Sequence, residues 1–339
     1  KCLFCDSGYT LSTDYTCVAD TCASGCNGCG AGQDRLNGVC IDIPQSGKQS
    51  CGIVPNNDMM RIIGGQDAPD QSLPWQASLR AGNGGTLYCG AVLISDRWFI
   101  TAAHCTTHQS MTFYVVVGET VKFEEENEIG NYNVNNDGYM YQIETRIQHP
   151  DYVKDTDDPA FNYHKDDISL LKTQVPVIFS NEVQPICLNS QEYKLGGIKN
   201  PSNLDLEGSK VIISGWGETQ AHGYGSFPSV LQYGEFEIHN QNVCDQIWFY
   251  MDIIDSQICV STDGPGEGSW QSGDTMAPCT ADSGGPWAFR YPGSEKYVLA
   301  GIQSFGSRCG MFKRPSVGTR ISEYALWIYQ NTGVWSDIS

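Results

Sequence analysis

Cysteines are spread very unevenly along this chain of 339 residues, and their distribution limits what its beginning can fold into. Seven of the fifteen cysteines fall within the first 40 residues, a segment with almost no apolar runs. Such a segment cannot bury a core of its own, so cross-links must hold it together. Two CxxC pairs, Cys2/Cys5 and Cys26/Cys29, are each followed after ten or eleven residues by another cysteine, and this spacing forms a crude internal repeat.

CxxC pairs are also typical of zinc sites and of redox motifs, so these alternatives stand beside structural disulfides. Zinc sites often include histidine, and no histidine lies in this segment. We therefore predict structural disulfides. The cysteine spacing, together with Gly8-Tyr9-Thr10-Leu11 before Cys17, resembles the cysteine-rich repeats of furin-like or EGF-like extracellular modules.

Composition excludes some classes of function. The formal net charge of −19 argues against nucleic acid as a partner, because phosphate binding requires lysine and arginine. No run approaches the ~18 apolar residues that span a bilayer, so we expect no transmembrane segment. The fifteen cysteines indicate an oxidising compartment, and we predict a secreted, extracellular protein.

The composition changes twice along the chain and predicts three parts. Residues 1–50 form the cysteine-rich module. Residues 51–61 are polar and contain Gly52 and Pro55, which is typical of a linker. In residues 62–339, short runs of Val, Ile, Leu and aromatic residues alternate with clusters of Gly, Asn and Asp. This alternation predicts many short antiparallel strands, as in a barrel or a sandwich.

Three fragments of this third part contain the residue types of a nucleophilic hydrolase. Ser283 is followed by two glycines, so a tight turn can expose its hydroxyl beside backbone N–H groups. His104 lies between small residues and a cysteine, which suits a general base. Asp167 precedes an apolar strand, where a carboxylate can orient an imidazole. Each fragment alone is ambiguous, but the three in the order His, Asp, Ser are specific.

That order resembles the chymotrypsin family of serine proteases. The resemblance covers residues 62–339 and extends to Pro74-Trp75-Gln76, Cys89-Gly90, Ile147-Gln148-His149-Pro150, Ser214-Gly215-Trp216-Gly217 and Ser304-Phe305-Gly306. It implies a serine endopeptidase in which Ser283 attacks the scissile carbonyl, His104 transfers the proton and Asp167 holds His104.

The resemblance also implies the fold, an all-β domain of two six-stranded antiparallel barrels. The helical spacing of Tyr324, Trp327 and Ile328 adds a C-terminal helix. The stretch from Val153 to Lys165 reads as an insertion that could border the substrate cleft. The remaining histidines, His108 and His164 among them, are interpreted as surface or packing residues.

Zymogen activation is a further implication of the resemblance. Arg61-Ile62 resembles the family's activation bond, and cutting it would let the Ile62 amine fold inward and pair with Asp282. An activating protease that cuts after arginine would therefore be a partner. The resemblance implies four disulfides, which are Cys51–Cys187, Cys89–Cys105, Cys244–Cys259 and Cys279–Cys309. The first would keep the N-terminal module attached after the cut.

The implied oxyanion hole departs from the family pattern. It would consist of the N–H groups of Ala281 and Ser283, and the family usually has glycine at the first of these positions. Ala281 could lower activity, distort the hole or be tolerated. The alternative function is therefore a catalytically weak or inactive homologue that acts as an extracellular binding or adhesion protein.

The implied substrate pocket is lined by Ala277, Pro278, Ser304, Phe305, Gly306, Ser316 and Gly318. Trypsin-like members carry Asp where Ala277 stands, so a Lys or Arg substrate side chain would find no buried partner here. Ser316 replaces a usual glycine and narrows the base, whereas Gly318 removes a bulky ring. We predict a preference for an apolar or medium-sized P1 residue, not for Lys or Arg.

Glu119 and Glu128 resemble the family's calcium loop, with a spacing that differs by one residue. A solvated acidic loop is the other interpretation, so we expect no cofactor and leave calcium open. The expected partners are a protein or peptide substrate, the activating protease and a protein that binds the cysteine-rich module.

Overall fold

The fold is that of a computed structural model of the chain. The described residues are 9–11, 17–19, 33–36, 39–42, 50–55, 66–70, 72–82, 86–108, 110–121, 140–155, 163–188, 206–218, 227–248, 252–262, 278–306 and 314–334. Of the residues named above, Arg61, Ile62, Glu128, Ala277 and Cys309 lie outside these ranges, as do Cys2, Cys5, Gly8, Cys26 and Cys29 of the cysteine-rich module. The side chains of the N-terminal cysteines also lie outside the described part.

The N-terminal segment contains two short antiparallel hairpins. In the first, β1 (Tyr9–Leu11) pairs with β2 (Cys17–Ala19). In the second, β3 (Gln33–Leu36) pairs with β4 (Val39–Asp42). Each hairpin includes the last cysteine of one of the two units in the cysteine repeat, so the repeat in sequence corresponds to a repeat in backbone structure.

From residue 66 onward the described residues contain sixteen strands. In chain order they are β5 (Gln66–Asp67), β6 (Gln76–Ala81), β7 (Thr86–Leu93), β8 (Trp98–Thr101), β9 (Phe113–Val117), β10 (Met140–Gln148), β11 (Val153–Asp155), β12 (Tyr163–Lys165), β13 (Ser169–Thr173), β14 (Cys187–Leu188), β15 (Lys210–Gly215), β16 (Gln232–Ile238), β17 (Gln257–Ser261), β18 (Pro286–Arg290), β19 (Tyr297–Phe305) and β20 (Ser316–Arg320). The α-helices are α1 (Gln241–Ile247) and α2 (Ala325–Thr332).

Six of these strands close the first barrel, in the order β10, β13, β8, β7, β6 and β9. Every neighbouring pair is antiparallel. Alternate residues of a strand point to the same side, so Ala77 and Leu79 of β6 share a core cluster with Val115 and Val117 of β9. Phe99 of β8 completes this interior, which is filled by side chains and leaves no pore.

The second barrel is a ring of β19, β18, β15, β16, β17 and β20, closed by pairing between β20 and β19. β14 adds to β19 in parallel and β5 adds to β16, so the whole sheet has eight strands. Val211, Phe236, Trp287 and Val298 lie in its interior cluster. The predicted all-β fold of two six-stranded barrels is confirmed.

A third cluster joins the two barrels to the C-terminal helix. Val92 and Ile100 of the first barrel lie in the same cluster as Leu299 and Ile302 of the second, and Ile328 of α2 belongs to it as well. The predicted C-terminal helix is therefore confirmed. This shared core fixes the position of one barrel against the other, and the candidate site lies where they meet.

Candidate active site

His104 lies on a short 3-10 turn, Ala103–Thr106, directly after β8. The disulfide between Cys89 and Cys105 ties this turn to β7. The Thr106 hydroxyl and the Gln148 amide both donate hydrogen bonds to the Ala103 carbonyl, at 3.0 and 2.9 Å. The turn is thus held from both sides, and the His104 side chain remains 22% exposed.

Asp167 is buried beside this turn, and both of its carboxylate oxygens are used. Oδ1 accepts from the His104 backbone N–H at 2.9 Å, and Oδ2 lies 2.8 Å from His104 Nδ1. The Ser304 hydroxyl, from the second barrel, donates to Oδ2 at 2.5 Å. The Thr319 hydroxyl, also from the second barrel, donates to the Asp167 carbonyl at 2.9 Å. Groups of both barrels therefore fix the carboxylate that orients His104.

The environment of Asp167 keeps this carboxyl group ionised. Burial alone would raise its pKa, but the charge and the ring hydrogen bond of His104 outweigh burial. The charge of His164 and the Ser304 hydroxyl act in the same direction, and the pKa of Asp167 falls to about 2. A charged carboxylate on Nδ1 holds that proton in place and leaves Nε2 of His104 as the nitrogen that can accept another.

Ser283 lies in a tight turn packed against the His104 loop. Its carbonyl accepts a hydrogen bond from the Gly90 N–H at 2.8 Å. A Cβ at Gly284, where φ is 78°, would stand 2.2 Å from the Thr101 hydroxyl, so only glycine fits this approach. Within the described residues the Ser283 hydroxyl has no hydrogen-bond partner. Such contacts are often long before substrate binds.

The backbone around Ser283 offers two N–H groups to a ligand. In the part of the chain that the structure describes, neither the Ala281 nor the Ser283 N–H donates to another residue, whereas the Asp282 and Gly284 N–H groups donate to Cys279 and Gln303. Ala281 has φ of 75°, in the left-handed region. The family's usual glycine at this position therefore has a physical reason, and Ala281 adopts the conformation at a cost in strain.

The carboxyl group of Asp282 lies beside Gly215 and Gly217 at the end of β15, in the space that a Cβ on either glycine would fill. Its oxygens accept from the N–H groups of Gly217 and Cys279, both at 2.8 Å. Burial raises the pKa of Asp282 to about 6, although these two donors lower it. Among the described residues no cation lies within ion-pair distance of this carboxyl group. Ile62, its expected partner, is not among them.

The described walls of the implied pocket are mostly buried. Ser304, Phe305 and Ser316 are each less than 8% exposed, at 4%, 7% and 4%. The Ser316 hydroxyl lies 3.3 Å from where a Cβ at Gly306 would be, so it borders the open space that Gly306 leaves. Pro278 is buried as well.

The loss of a ring at Gly318 does not enlarge the pocket. A Cβ at Gly318 would meet the Trp287 ring at 2.7 Å, so this indole fills the space beside the glycine. Trp287 is fully buried. The narrowing expected from Ser316 is therefore not offset by new room at Gly318.

His164 is the residue of this site that the sequence reasoning missed. Its ring stacks on that of His104, with 4.7 Å between centroids and 17° between planes. The Tyr152 ring also stacks on that of His164, with 5.9 Å between centroids, and the Tyr152 hydroxyl lies 3.2 Å from His164 Nδ1. Burial lowers the pKa of His164 to about 4, helped by the positive charges of His104 and Lys154 and opposed by Asp167. The one available signal was that His164 precedes Asp167 by three residues.

The Glu119 carboxylate, half of the implied calcium loop, is engaged by other groups. Arg80 Nη2 donates to both of its oxygens, at 3.1 and 3.0 Å, and the Ser78 hydroxyl donates at 3.2 Å. Both side chains of this ion pair are buried. The guanidinium thus supplies the positive charge that a cation would bring to Glu119.

Three of the implied disulfides are present, namely Cys51–Cys187, Cys89–Cys105 and Cys244–Cys259. Cys279 is also disulfide-bonded, and its expected partner Cys309 lies outside the described residues.

Two antiparallel barrels with a clamped His–Asp pair and a glycine-bounded serine turn at their junction define a class of protein, the chymotrypsin-like serine endopeptidases. Comparison with known proteins narrows this class. The family model described as Trypsin matches residues 62–328, and the chain therefore belongs to the trypsin family of serine proteases.

Several known proteins are similar to the chain. Transmembrane protease serine 11G of Rattus norvegicus is 32% identical over 277 residues, which cover 81% of this chain and 56% of that protein. Ovochymase of Halocynthia roretzi is 28% identical over 293 residues, covering 86% of this chain and 16% of that protein. The structure of neuropsin, a serine protease expressed in the limbic system of mouse brain, matches with a TM-score of 0.57 at 28% identity, covering 80% of this chain and 99% of that one.

These relatives overturn the expected set of partners, which included no transmembrane segment. Transmembrane protease serine 11G of Rattus norvegicus and 11B of Homo sapiens are membrane proteins by name, and the chain spans 56% of the length of each. Within the described residues, no helix is long and apolar enough to cross a membrane. The expectation rested on the apolar runs of these 339 residues, whereas the matched relatives extend well beyond the part that the chain covers.

Proposed function

We propose that Ser283 is the nucleophile of this endopeptidase, His104 its general base and acid, and Asp167 the carboxylate that orients His104. The observation that carries this assignment is the 2.8 Å contact between His104 Nδ1 and Asp167 Oδ2, in which the carboxylate is also bound by the His104 backbone. Two barrels contribute to the clamp, so the geometry depends on the complete fold.

The proposed reaction proceeds in two steps. The Ser283 oxygen bonds to the scissile carbonyl carbon while its proton passes to His104 Nε2. The resulting oxyanion accepts from the N–H groups of Ala281 and Ser283. The C–N bond then breaks, and the leaving amine takes the proton from His104. Water then attacks the acyl carbon while its proton passes to His104 Nε2. The bond between the acyl carbon and the Ser283 oxygen breaks, and His104 returns the proton to that oxygen.

An active-site acylating or phosphonylating reagent tests this assignment. After cleavage at Arg61, we expect one reagent per chain on Ser283, and no labelling in Ser283→Ala. Labelling that is absent from the correctly cut wild-type chain would favour the binding or adhesion homologue instead. The strained φ of Ala281 is the observation that keeps this second function open.

We also propose that the chain is a zymogen, cut between Arg61 and Ile62. The support is the state of Asp282, whose buried carboxylate has two backbone donors but no cation among the described residues. A new ammonium at Ile62 would supply that cation and order the turn that contains Ser283. Arg61→Gln should block the cut and leave the chain without activity. Equal activity of the uncut and cut chains would contradict the proposal.

For the substrate, we propose an apolar or medium-sized P1 residue. Ser316 and Trp287 support this, because one hydroxyl and one indole limit the room at the pocket base. A digest of a peptide library by the cut chain tests it. Cleavage predominantly after Lys or Arg would refute the proposal.

Finally, we propose an extracellular protease domain at residues 62–339, joined by the activation segment 51–61 to a furin-like or EGF-like module at 1–50. The three disulfides among the described residues support an oxidising compartment. Disulfide mapping by mass spectrometry tests the module. Free thiols at most of the seven cysteines in the first 40 residues would contradict it.

A further inference from the structure

Gln303 in β19 is a buried glutamine whose side-chain amide has a partner at one end only. The side chain lies in a residue that is 4% exposed, and its Nε2 donates to the Phe305 carbonyl at 3.2 Å. Within the described residues its Oε1 is buried without a hydrogen-bond partner. A carbonyl can only accept, so the contact with Phe305 fixes the orientation of the amide and leaves the oxygen as the unpaired end.

The other buried glutamines of the described residues, Gln76 and Gln257, use both ends of the amide. Nε2 of Gln76 donates to a backbone carbonyl at 3.2 Å, and its Oε1 accepts from the Ser214 hydroxyl at 2.7 Å. Nε2 of Gln257 donates to a backbone carbonyl at 2.7 Å, and its Oε1 accepts from the Ile254 N–H at 3.1 Å. Buried polar atoms are rarely left unpaired, so the free oxygen of Gln303 indicates a partner that comes from outside the fold.

The backbone and the strand register bring Gln303 to the proposed substrate pocket. Its carbonyl accepts from the Gly284 N–H at 2.7 Å and its N–H donates to the Gly285 carbonyl at 3.0 Å, so it is bonded to the two glycines that follow the proposed nucleophile. Across the sheet, Gln303 lies directly opposite Gly318 of β20. Residues directly opposite each other project to the same face, as do Gly318 and Ser316 two positions apart. The side chain of Gln303 therefore lies on the face that carries the Ser316 hydroxyl.

We propose that Gln303 selects the P1 residue of the substrate, and that this residue carries a neutral carboxamide, as glutamine and asparagine do. The P1 amide would donate an N–H to Gln303 Oε1, and its oxygen would accept from the Ser316 hydroxyl. This inference rests on the proposed function, and it narrows the medium-sized P1 residue proposed there to one chemical class.

Charge and room argue against the other side chains that carry donors. Lysine and arginine would bring a cation, and none of the pocket residues that the structure describes carries a carboxylate. Large rings need more room than the Ser316 hydroxyl and the Trp287 indole leave at the base. Glutamate has the shape of glutamine, but its carboxylate would set a second acceptor against Gln303 Oε1. Methionine has a similar length and offers no donor, so these three side chains separate hydrogen bonding from shape.

Peptide substrates that differ only at P1 test the selection. With the wild-type chain cut at Arg61, we expect kcat/KM for P1 glutamine to exceed that for P1 methionine and for P1 glutamate by at least about 10-fold. The reason is that both analogues exclude water from Gln303 Oε1 and leave this oxygen without a donor. This comparison does not depend on the folding of any variant. An equal or higher kcat/KM for P1 methionine would overturn the proposal.

Gln303→Met removes the acceptor and keeps the approximate shape of the side chain. The ratio of kcat/KM for P1 glutamine to that for P1 methionine should then fall to about one or below, and a ratio taken within one chain cancels any general loss of activity. Gln76→Met is the matched control. The oxygen of this buried glutamine is bonded inside the protein, so the variant should keep the wild-type ratio. An unchanged ratio in Gln303→Met would overturn the assignment to Gln303.

Binding without hydrolysis separates this inference from the proposed function. Calorimetry of the cut Ser283→Ala chain should give an affinity at least about 10-fold higher for a peptide with P1 glutamine than for the same peptide with P1 methionine. The difference should be lost when Gln303→Met is added. Equal affinities in Ser283→Ala would overturn the inference even if the wild-type chain hydrolyses peptides. A wild-type chain that hydrolyses nothing, although this difference in affinity is present, would contradict the proposed function and support the role of Gln303.

Discussion

Ala281 has φ of 75°, a conformation in which a Cβ is crowded by its own backbone. Its position two residues before Ser283 identified it in the sequence as a departure from the family pattern. The positive φ of Ala281 explains why the family usually has glycine there, since glycine adopts this conformation without strain. On the proposed mechanism this N–H must point at the oxyanion, so the turn cannot relax without moving a donor.

Replacing Ala281 by glycine removes this strain. We expect Ala281→Gly to raise the free energy of unfolding by about 1 kcal/mol and to leave or increase kcat/KM, because glycine adopts positive φ freely. Denaturant unfolding and peptide hydrolysis measure the two effects. The matched control is Ala77→Gly in β6, which should lower stability by about 1 kcal/mol. A loss of stability in Ala281→Gly equal to that of Ala77→Gly would contradict this reading.

Substitution of Ser316 tests whether this residue borders the P1 side chain of the substrate. Ser316→Val adds a branched side chain at the base of the proposed pocket, so large P1 residues should lose binding space that small ones never used. We expect kcat/KM for a Phe P1 substrate to fall by at least about 10-fold relative to an Ala P1 substrate. The two substrates control for any general loss of activity. An unchanged ratio would mean that Ser316 does not border the P1 side chain.

At the scale of elements, the sequence predicted what local motifs specify and missed what tertiary packing specifies. The alternation of apolar runs with turn residues predicted many short antiparallel strands, and the spacing of Tyr324, Trp327 and Ile328 predicted α2, because buried faces leave a periodic pattern. The arrangement of the strands in two barrels was implied by the family resemblance. The stacking of His164 on His104 left no such pattern. It depends on how the hairpin of β11 and β12 folds over the His104 turn, and no local rule determines that path.

Two disulfides that close loops of similar size allow the effect of a cross-link on stability to be compared with its effect on the position of His104. Cys89–Cys105 spans 16 residues and holds the His104 turn, whereas Cys244–Cys259 spans 15 and joins α1 to β17. Replacing either pair by alanine should cost about 3 kcal/mol of stability. We expect only Cys89→Ala/Cys105→Ala to lower kcat/KM as well, measured at temperatures where both variants stay folded. Equal kcat/KM in the two double variants would contradict a positioning role.

At the scale of the whole molecule, the proposed site exists only where two barrels meet. His104 and Asp167 come from the first barrel, and Ser283 and Ser304 from the second. The sequence predicted His104, Asp167 and Ser283 as the catalytic residues, because each lies in a short recognisable motif and their order along the chain is specific. Ser304 was expected only as a pocket wall. Its bond to Asp167 could not be predicted, since it joins residues 137 positions apart.

The state of Asp282 predicts how the stability of the uncut chain depends on pH. Its pKa is raised by burial from 3.8 to about 6, so the folded chain holds more protons than the unfolded chain between these values. Stability should therefore fall as pH rises from about 4 to 6, by on the order of 3 kcal/mol from this group. Denaturant unfolding measures the fall, and Asp282→Asn should lack it. The same slope in Asp282→Asn would show that another group is responsible.

Cutting at Arg61 should reverse that dependence. An ammonium at Ile62 paired with Asp282 lowers the carboxyl pKa, so the cut chain should lose stability as pH falls below about 4. The pairing raises the pKa of the amine, so the added stability should also be lost as pH rises above roughly 8. Acetylation of the new amine should abolish both the loss of stability at low pH and the loss at high pH. A cut chain with the profile of the uncut chain would refute the pairing.

The bond between Cys51 and Cys187 joins positions 136 residues apart, and the proposed cleavage site lies between them. A cut there would yield two polypeptides that remain joined by this disulfide. The protease domain would therefore stay wherever the N-terminal segment is held. A short flexible tether holds the attached domain at a local concentration of roughly millimolar, which favours cleavage of substrates near the attachment point over dilute substrates. Reduction of the Cys51–Cys187 disulfide would release the cut protease domain from the N-terminal segment. The set of substrates that it reaches would then change while its active site stayed the same.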